Sequence, residues 1–563
     1  MCRAGFRIIM SEENPAPDDA KVRLTIEGLE IEAEPGQMLL QAALDNGVEV
    51  PHYCYHPKLS IDGSCRMCQV KVEGGRKLAI SCNEPVRDGM VVDTKCDEVK
   101  QARQGVMELL LVNHPLDCPI CDQAGECFLQ DYSHGYGRDH ARTTAPRRKG
   151  VKRSPIGEHV VFDQERCILC RRCVRFTQEI TETDELRVFG IGDHSHIGTM
   201  PDAPLNNDYS VNVADICPVG ALLSSDFHHK RRVWFLEDTP SVCPSCSKGC
   251  NVNLGVFKNE IQRMVPRRND EVNDTWMCDH GRLRYAFTTN ETRIKQARIR
   301  NEEGQLVETP FRLAIEAAGE QLRGVVDSPE SFGVIASAHL TNEENFLLAD
   351  LCNAQISAAH VVLPVIRGDA DGFLIQEEKA ANANGARRMG IEERGGSIQD
   401  LAAAIEAGTV RTLLVFGGDA LEVPGGEDLL ASLPKLESLI LVAPNETAFR
   451  EHASVLIPGA TFAEKDGSFT NGEDRVQWIT RGLNLPEGVE TEGATLTRLG
   501  AMLKNSKPEA FDAIGVLNQI AAAVPEFAHI NQADLGAEGL VCGIQAPPEP
   551  EPETTDATVS GEA

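Results

Sequence analysis

The residues best suited to chemistry in this sequence are cysteines, and most of them occur in short, regularly spaced groups. The chain contains 563 residues and 19 cysteines. Its first residues lack the apolar segment and small-residue cleavage site of a signal peptide, so we expect a reducing compartment in which disulfides are rare. Thiolates are also strong ligands for zinc and iron. We therefore interpret the grouped cysteines as metal ligands.

The first group has the spacing C-x10-C-x2-C-x13-C and comprises Cys54, Cys65, Cys68 and Cys82. Plant-type two-iron clusters take three cysteines from one long loop and a fourth from a later strand. Gly63 and the small Ser64 would let the backbone approach such a cluster closely. Structural zinc sites favour short paired cysteines over one asymmetric loop. The group therefore predicts a 2Fe–2S cluster.

The second group combines one histidine with three cysteines and comprises His114, Cys118, Cys121 and Cys127. Its spacing is H-x3-C-x2-C-x5-C. Replacing a thiolate by an imidazole removes one negative charge and raises the potential of an iron–sulfur cluster, so a mixed set indicates a tuned electron carrier. From spacing alone, Cys96 remains an alternative to His114 as the fourth ligand.

The third group has three closely spaced cysteines and one distant cysteine, namely Cys167, Cys170, Cys173 and Cys217. In bacterial two-cluster ferredoxins, each C-x2-C-x2-C run ends in a further Cys-Pro that serves the other cluster. Here Pro218 follows Cys217, but Thr177 stands four residues after Cys173, where the other such cysteine is expected. The segment therefore predicts a ferredoxin-like unit that keeps one 4Fe–4S cluster.

The fourth group has the spacing C-x2-C-x3-C-x27-C and comprises Cys243, Cys246, Cys250 and Cys278. Zinc ribbons also combine a short cysteine pair with distant ligands, so the spacing alone leaves both zinc and a 4Fe–4S cluster open. Four cysteines lie outside the groups, and we interpret them as incidental thiols: Cys2, Cys96, Cys352 and Cys542.

Local sequence patterns indicate the elements that position these groups. Residues 21–97 alternate apolar and polar positions around a short helical pattern, Leu39–Asp45, which is typical of a small sheet crossed by one helix. A second helix over Val99–Val112 ends before Pro115 and delivers His114. Beyond residue 291, apolar strand candidates alternate with helical stretches, which predicts an α/β domain with a largely parallel sheet. These candidates are Phe332–Ala336, Val361–Val365, Thr412–Phe416, Leu439–Val442 and Val455–Ile457.

Composition argues against several functions. The formal net charge of −30 disfavours binding to nucleic acid phosphates or anionic lipid. No run approaches the roughly 18 apolar residues of a membrane-spanning helix, so we expect membrane contact only through partners. A glycine pair, Gly417-Gly418, follows one strand candidate, but without a fuller fingerprint it predicts no nucleotide site.

Taken in order, the four groups resemble the cluster-binding half of the 75 kDa-type iron–sulfur subunits of respiratory complex I, the NADH-quinone oxidoreductase. The fourth group and the α/β region behind it are also similar to the molybdopterin oxidoreductases. The resemblance covers residues 21–477 and includes two polar segments, Thr341–Asn345 and Ala463–Asn471. It implies His114 as the fourth ligand of the second group and a 4Fe–4S cluster at the fourth group.

The resemblance implies one 2Fe–2S cluster, three 4Fe–4S clusters and no molybdopterin. In that family a flavin on a partner subunit takes hydride from NADH, and the first three groups pass single electrons toward quinone-side iron–sulfur subunits. The fourth group of the family lies apart from that path and is structural. The chain would therefore carry electrons without binding NADH or quinone and without a catalytic residue of its own. It would be a peripheral subunit of a translocase, at the cytoplasmic side of the inner (plasma) membrane.

The combined prediction is a multidomain protein of the α+β and α/β classes. We expect a flexible start (residues 1–20) and a disordered acidic tail (546–563). Between them we expect a 2Fe–2S ferredoxin-like β-grasp domain (21–98), a helical 4Fe–4S segment with one histidine and three cysteines (99–150), a ferredoxin-like 4Fe–4S segment (151–238), a molybdopterin-oxidoreductase-type 4Fe–4S domain (239–295) and a degenerate molybdopterin-oxidoreductase-like α/β domain (296–545).

Two other functions remain open. A molybdenum-dependent, NAD-linked formate dehydrogenase can carry the same amino-terminal clusters, but it needs a thiolate, selenolate or similar metal ligand soon after the fourth group. Residues 356–365 contain no cysteine, and Cys352 lies in a helical pattern where a buried core thiol is expected. The other alternative is an iron–sulfur scaffold subunit that only docks partners.

Overall fold

A computed structural model describes residues 21–543 of the chain. The chain divides into two compact units, Met1–Phe235 and Leu236–Ala563. The predicted flexible start (1–20) and acidic tail (546–563) lie outside the described residues. The finer domain boundaries within the two units stay predictions.

The first unit consists of short strands and helices joined by long loops. Its strands are β1 Val22–Ile26, β2 Leu29–Ala33, β3 Gln69–Val72, β4 Ala79–Ile80, β5 Val91–Asp93, β6 Ser154–Pro155, β7 Val160–Phe162, β8 Leu186–Phe189, β9 His196–Thr199 and β10 Leu222–Ser224. Its helices are α1 Leu39–Asp45, α2 Asp97–Asn113, α3 Phe128–Tyr136, α4 Arg172–Glu179 and α5 Asn212–Asp215.

The first five strands form one sheet with the order β2-β1-β5-β3-β4, in which β1 and β5 run parallel. Helix α1 packs its apolar side on this sheet, so that Leu40 and the strand residue Ile26 are fully buried together. The prediction of a small sheet with one helix across it is confirmed. The connection between α1 and β3 is a long loop, and it carries three cysteines of the first group.

Helix α2 has 17 residues and leads from the first cysteine group to the second. Acidic residues lie in its first turn, where their negative charge interacts favourably with the positive end of the helix dipole. Its buried stripe has helical spacing and includes Arg103, whose guanidinium donates to the carbonyl oxygens of Thr94 and Gln69, each at 3.0 Å. The helix ends at Asn113, just before His114 and Pro115, as the sequence predicts.

The second unit contains the larger sheet. Its strands are β11 Glu237–Val242, β12 Asn251–Phe257, β13 Glu260–Pro266, β14 Ala297–Arg300, β15 Leu306–Thr309, β16 Phe332–Ile335, β17 His360–Val362, β18 Thr412–Phe416, β19 Ser438–Ala443, β20 Val455–Pro458, β21 Gly467–Thr470, β22 Arg475–Ile479 and β23 Leu540–Val541. Its helices are α6 Asp279–Leu283, α7 Phe311–Arg323, α8 Asn342–Ala349, α9 Ala383–Arg388, α10 Ile398–Glu406, α11 Gly426–Ser432, α12 Glu492–Leu503, α13 Ala513–Ala523 and α14 Gln532–Leu535.

The seven-stranded sheet has the order β15-β14-β20-β19-β18-β16-β17, and its five strands from β20 to β17 are parallel. Every residue of β18 is buried, with Leu414 and Phe416 in one core and Leu413 and Val415 in the other. Such continuous apolar strands are expected where helices cover both faces of a parallel sheet. The predicted mixed α+β and α/β fold class is confirmed, and the predicted strands lie within two or three residues of the observed ones.

The two polar segments singled out in the sequence, Thr341–Asn345 and Ala463–Asn471, meet inside the second unit. Lys465 Nζ lies 2.7 Å from a carboxylate oxygen of Glu344 and 3.1 Å from one of Glu492, and all three side chains are buried. Beside them, Glu343 accepts from the backbone N–H of Ser468 at 2.9 Å and from its hydroxyl at 2.7 Å. These segments therefore form a buried polar network that joins α8 to the region of β21.

Burial and neighbouring charges shift the pKa values of the ionisable groups in this network. Burial by itself would lower the pKa of Lys465, but the charges of Glu344 and Glu492 outweigh burial and raise it. Burial raises the pKa of Glu343 to about 7, although hydrogen bonds from Ser468 oppose that rise. Removing a buried cation from between two carboxylates leaves their negative charges uncompensated, and this lowers the stability of the folded state.

We expect Lys465→Met to lower the free energy of unfolding by about 3–5 kcal/mol, because it leaves two buried carboxylates without their cation. Urea unfolding of the full chain measures the loss. Lys435→Met is the matched control, since Lys435 and Glu406 form an exposed ion pair of 3.6 Å. Exposed pairs contribute about 1 kcal/mol or less. Equal losses in both variants would show that the network is not important for stability.

Candidate iron–sulfur centres

The first cysteine group converges beside the five-stranded sheet. Cys54 and Cys65 Sγ atoms are 3.4 Å apart, and Cys82 lies in the 3₁₀ turn Ser81–Asn83 that follows β4. A hydrogen bond with Cys68, burial and the charges of the other three thiols all raise the pKa of Cys82. The loop turns through Gly63, whose φ of +64° favours glycine, in agreement with the expected close backbone approach. The structure thus brings all four predicted sulfurs together.

The three cysteines of the second group lie around the start of α3. Burial raises the pKa of Cys127 to about 11, and the charges of Cys121 and Cys118 add to the rise. His114 caps the carboxyl end of α2, and burial together with the charge of Arg166 lowers its pKa to about 4. Its imidazole is therefore neutral at pH 7 and offers a lone pair to a metal.

The alternative ligand Cys96 lies at the opposite end of α2. Cys96 precedes the helix and His114 follows it. A helix of 17 residues is about 25 Å long at roughly 1.5 Å per residue. Because Cys118 is only four residues beyond His114, the helix holds Cys96 well away from the second group. This geometry favours His114.

The third group is assembled by two tight turns and two short helices. Leu169 and Arg171 adopt left-handed φ values of 55° and 60°, which curl the chain between Cys167 and Cys173. Cys217 follows α5 and joins them. Burial and the charge of Cys217 raise the pKa of Cys170 to about 11. The pKa of Cys173 rises through burial and then through the charges of the other three thiols.

The fourth group lies around the antiparallel sheet β11-β12-β13 of the second unit. Cys243 follows β11, Cys250 precedes β12, and Cys278 caps the amino end of α6. Burial and the charges of Cys278 and Cys246 raise the pKa of Cys243 to about 12. Burial and the charges of the other three thiols likewise raise the pKa of Cys250.

These donor sets fit metal clusters chemically. Most of their thiols are buried and close to like-charged neighbours, so the ionised forms are unfavourable unless a cation compensates them. Three sets offer only sulfur, and one offers sulfur with a neutral imidazole. Such sets suit iron–sulfur clusters, and the all-sulfur sets also suit zinc.

Two glycines contribute to the sites in a way that the cysteine spacing did not predict. A Cβ atom on Gly220 would collide with Cys121 Sγ, and a Cβ atom on Gly281 would lie 2.9 Å from Cys243 Sγ. Each glycine follows a cysteine by three residues, at Cys217 and Cys278. This three-residue offset was the local sequence signal for the two glycines. The sulfur atoms that they face, in Cys121 and Cys243, belong to distant parts of the sequence.

Buried arginines connect the groups of the first unit and were also missed at the level of sequence. Arg172 donates to the carbonyl oxygens of Tyr55 and Ile216, and Arg175 donates to that of Cys54. These carbonyls lie in the loop of the first group and next to Cys217 of the third. The available sequence signal was the presence of arginines next to closely spaced cysteines. A guanidinium group that is buried there requires anionic or carbonyl partners, so such arginines predict contacts with neighbouring segments.

Aromatic side chains lie between the first and second groups. Tyr53 precedes Cys54, and its ring packs edge-on against that of Tyr132 in α3 with centroids 5.3 Å apart. Burial raises the pKa of Tyr53, and the nearby charges of Cys127 and Cys65 raise it further. Together with the arginine contacts and the close approach of Gly220 to Cys121, these rings show that the three cysteine groups of the first unit adjoin one another.

The second unit has a cavity of about 590 Å³ beyond the carboxyl ends of the parallel strands. The predicted turn Gly417-Gly418 lines it, together with His339 and Asp419. Within the described residues, none of the side chains that line this cavity is a cysteine. Cys352 lies instead in the core of the large sheet, where 1% of its surface is exposed, as predicted for a core thiol.

Family models for iron–sulfur domains match the chain in the order that the sequence predicts. Residues 19–96 match a 2Fe-2S iron-sulfur cluster binding domain, and residues 103–142 match the NADH-ubiquinone oxidoreductase-G iron-sulfur binding region. Residues 157–223 match the ferredoxin-like domain of NADH-quinone oxidoreductase subunit 3. Residues 236–290 match the molybdopterin oxidoreductase Fe4S4 domain. Fold and site together thus define an iron–sulfur protein that combines a 2Fe–2S-binding domain with domains of the 4Fe–4S type.

Relatives with a curated name make the likeness more specific. The NADH-ubiquinone oxidoreductase 75 kDa subunit of Reclinomonas americana is 40% identical over 331 residues, which cover 58% of this chain and 47% of that protein. The mitochondrial NADH dehydrogenase [ubiquinone] iron-sulfur protein 1 of Solanum tuberosum is 38% identical over 339 residues, which cover 60% and 45%. The resemblance to the 75 kDa-type subunits is confirmed, and the chain spans about half the length of these relatives.

A crystal structure of an NAD+-reducing [NiFe]-hydrogenase in the H2-reduced state is 32% identical, with a TM-score of 0.33 over 38% of this chain and 92% of that one.

We expect Gly281→Ala to reduce the metal content of the chain, because the new Cβ lies within 2.9 Å of Cys243 Sγ and displaces it. Iron analysis of the anaerobically purified full chain measures the loss. Gly105→Ala is the control, since a Cβ there meets no atom within 4 Å and Gly105 lies inside α2. Unchanged iron in both variants would contradict a metal site so close to Gly281.

Proposed function

We propose that this chain is the electron-transfer iron–sulfur subunit of an NADH:quinone oxidoreductase of the complex I type. It carries single electrons from a flavin-bearing, NADH-binding subunit toward quinone-side iron–sulfur subunits. The observation that carries the proposal is that three cysteine groups adjoin one another inside one unit. The matched domains of that unit are all of the iron–sulfur type. Electron transfer between carriers needs such closeness, whereas a scaffold does not.

The proposal assigns ligands group by group. A 2Fe–2S cluster is held by Cys54, Cys65, Cys68 and Cys82. Three 4Fe–4S clusters are held by His114, Cys118, Cys121 and Cys127, by Cys167, Cys170, Cys173 and Cys217, and by Cys243, Cys246, Cys250 and Cys278. The position of Cys96 beyond the far end of α2 supports His114 in the second set.

Bound clusters supply one-electron redox chemistry, and the chain's own residues hold and tune them. Buried thiolates bind iron, and the neutral imidazole of His114 lowers the negative charge of the second set. Arg172 donates to the carbonyl oxygens of Tyr55, next to Cys54, and of Ile216, next to Cys217. Burial lowers its pKa, and the charges of Cys170, Cys217 and Cys54 oppose that effect. Its positive charge favours the reduced, more negative state on either side. Burial excludes water and limits side reactions.

The α/β half of the second unit supports the electron-carrier proposal over a formate dehydrogenase. Such an enzyme needs a thiolate, selenolate or similar group on its metal, and the described residues offer no cysteine at the 590 Å³ cavity. Molybdopterin is therefore not part of the proposal. The fourth cysteine group is a structural 4Fe–4S site in this proposal, apart from the electron path.

Assembly and location follow from the same proposal. Partners are the flavin subunit and the quinone-side iron–sulfur subunits, with no nucleic acid. No helix within residues 21–543 has the length and apolar character that crossing a membrane requires. We infer a peripheral position at the cytoplasmic side of the inner (plasma) membrane, held by partner subunits.

Metal analysis of the anaerobically purified chain tests the cluster count. One 2Fe–2S and three 4Fe–4S clusters give about 14 irons per chain, with neither zinc nor molybdenum at the cysteine groups. About 10 irons with one sulfur-bound zinc would make the fourth group a zinc site and preserve the electron path. Stoichiometric molybdenum would overturn the proposal in favour of a formate dehydrogenase.

A Cys167→Ser variant tests the path itself. In the assembled complex we expect it to block NADH-to-quinone electron flow while NADH oxidation by artificial acceptors at the flavin continues. Cys96→Ser is the control, because Cys96 lies outside every proposed ligand set, and both activities should persist. Normal quinone reduction by the Cys167 variant, or loss of both activities in a fully assembled complex, would argue against the proposed path.

A further inference from the structure

Within the described residues, a further cluster of side chains could hold a metal ion without using any predicted ligand of the four cysteine groups, although Asp122 directly follows Cys121. It consists of Asp122, His228 and His229 in the first unit, and one ligand atom from each residue lies within 4.8 Å of the others. Imidazole and carboxylate groups are the donors that zinc and other divalent transition metals accept. None of these three residues is needed for the proposed electron path.

The backbone brings the two adjacent histidines onto the same side. Neighbouring residues in an extended chain point to opposite faces, but His229 adopts a left-handed φ of 61°. The two rings consequently lie with centroids 3.9 Å apart. A left-handed residue that is not glycine costs free energy, and such strain is concentrated at functional sites.

Asp122 lies close to both rings. Its Oδ1 lies 3.4 Å from His229 Nδ1, and its Oδ2 lies 3.8 Å from His228 Nε2. Asp122 is 5% exposed, and its carboxylate accepts the backbone N–H of His229 at 2.8 Å. That hydrogen bond fixes the carboxylate relative to the histidine turn. The separations of 3.4 and 3.8 Å are those of ion pairs when the histidines are protonated. With neutral imidazoles, the same separations suit pairs of ligand atoms bound to one ion at about 2.0–2.2 Å from each atom.

Accessibility also suits a bound ion. The side chain of His229 is 45% exposed and that of His228 is 20% exposed, while the carboxylate behind them is buried. An ion can therefore enter from solvent and be held against a desolvated anion. Three protein ligands leave one position of a tetrahedral site open for water.

We propose that Asp122, His228 and His229 form a binding site for one divalent transition-metal ion of the zinc class, separate from the iron–sulfur centres. The carboxylate supplies negative charge, and the two imidazoles supply nitrogen ligands. The site retains an open coordination position toward solvent. It does not depend on the electron-transfer function, and its zinc content can be measured whether or not the chain oxidises anything.

Zinc binding to the intact, cluster-loaded chain tests the site. Anaerobic equilibrium dialysis against buffered free zinc, followed by elemental analysis, should show about one zinc more per wild-type chain than per His228→Ala/His229→Ala chain. Each single variant should weaken zinc binding by at least about tenfold, because even the loss of a group that only orients a ligand costs that much. Equal zinc in the wild type and the double variant would overturn the proposal.

His140→Ala is the matched control. His140 is an exposed histidine of the same unit, and its Nδ1 lies 2.6 Å from a carboxylate oxygen of Asp139. Among residues 21–543, however, this pair belongs to no cluster of three converging ligands. The variant should bind zinc like the wild type. If it loses as much zinc as the double variant, binding is nonspecific and the proposal fails.

A measurement on the wild type alone removes any dependence on the folding of variants. X-ray absorption at the zinc edge should show nitrogen and oxygen ligands at about 2.0–2.2 Å. Sulfur ligands at about 2.3 Å would place the zinc in a cysteine group and would overturn the proposal. Iron content measured on the same samples should be equal in the wild type and the histidine variants.

Discussion

Desolvation of thiolates is the constraint on which the architecture depends. The cysteines of the four groups are drawn together by short turns and mostly buried, and in several of them burial is the largest cause of a raised pKa. Sulfurs so placed repel one another when ionised, so the groups are favourable only with compensating positive charge. In the proposed function, bound iron supplies most of that charge, and buried arginines such as Arg172 supply the remainder nearby. The first unit surrounds its three cysteine groups with short strands and long loops.

The second unit is built mainly around a parallel sheet. Its parallel sheet has an apolar core on each face, and within the described residues neither core contains a cysteine of the four groups. The polar segments Thr341–Asn345 and Ala463–Asn471 lie together in a buried network around Lys465. These segments therefore give internal support to the fold. The cavity beyond the strands is lined without cysteine in the described part of the chain.

Spacing made the membership of most cysteine groups predictable. A cluster needs several donors, and cysteines that are close in sequence can supply them from a single loop. The sets from Cys54 to Cys82 and from Cys167 to Cys217 required only that logic. The choice between Cys96 and His114 was different, since both flank the same helix at plausible distances along the chain. Helix α2 separates them by its full length, which spacing alone does not show. Gly220 and the arginine bridges were missed because their partners are distant in sequence.

By itself, the sequence determined the donor types, their grouping, the order of the domains and the alternation that produces the parallel sheet. These features are local, since ligand spacing and apolar periodicity act over a few tens of residues. Tertiary structure alone decided which groups share one core, which glycines make room for sulfur and how Asp122 meets His228 and His229 across 106 and 107 positions of chain. Such contacts depend on packing between distant segments, and pairwise spacing contains no information about that packing.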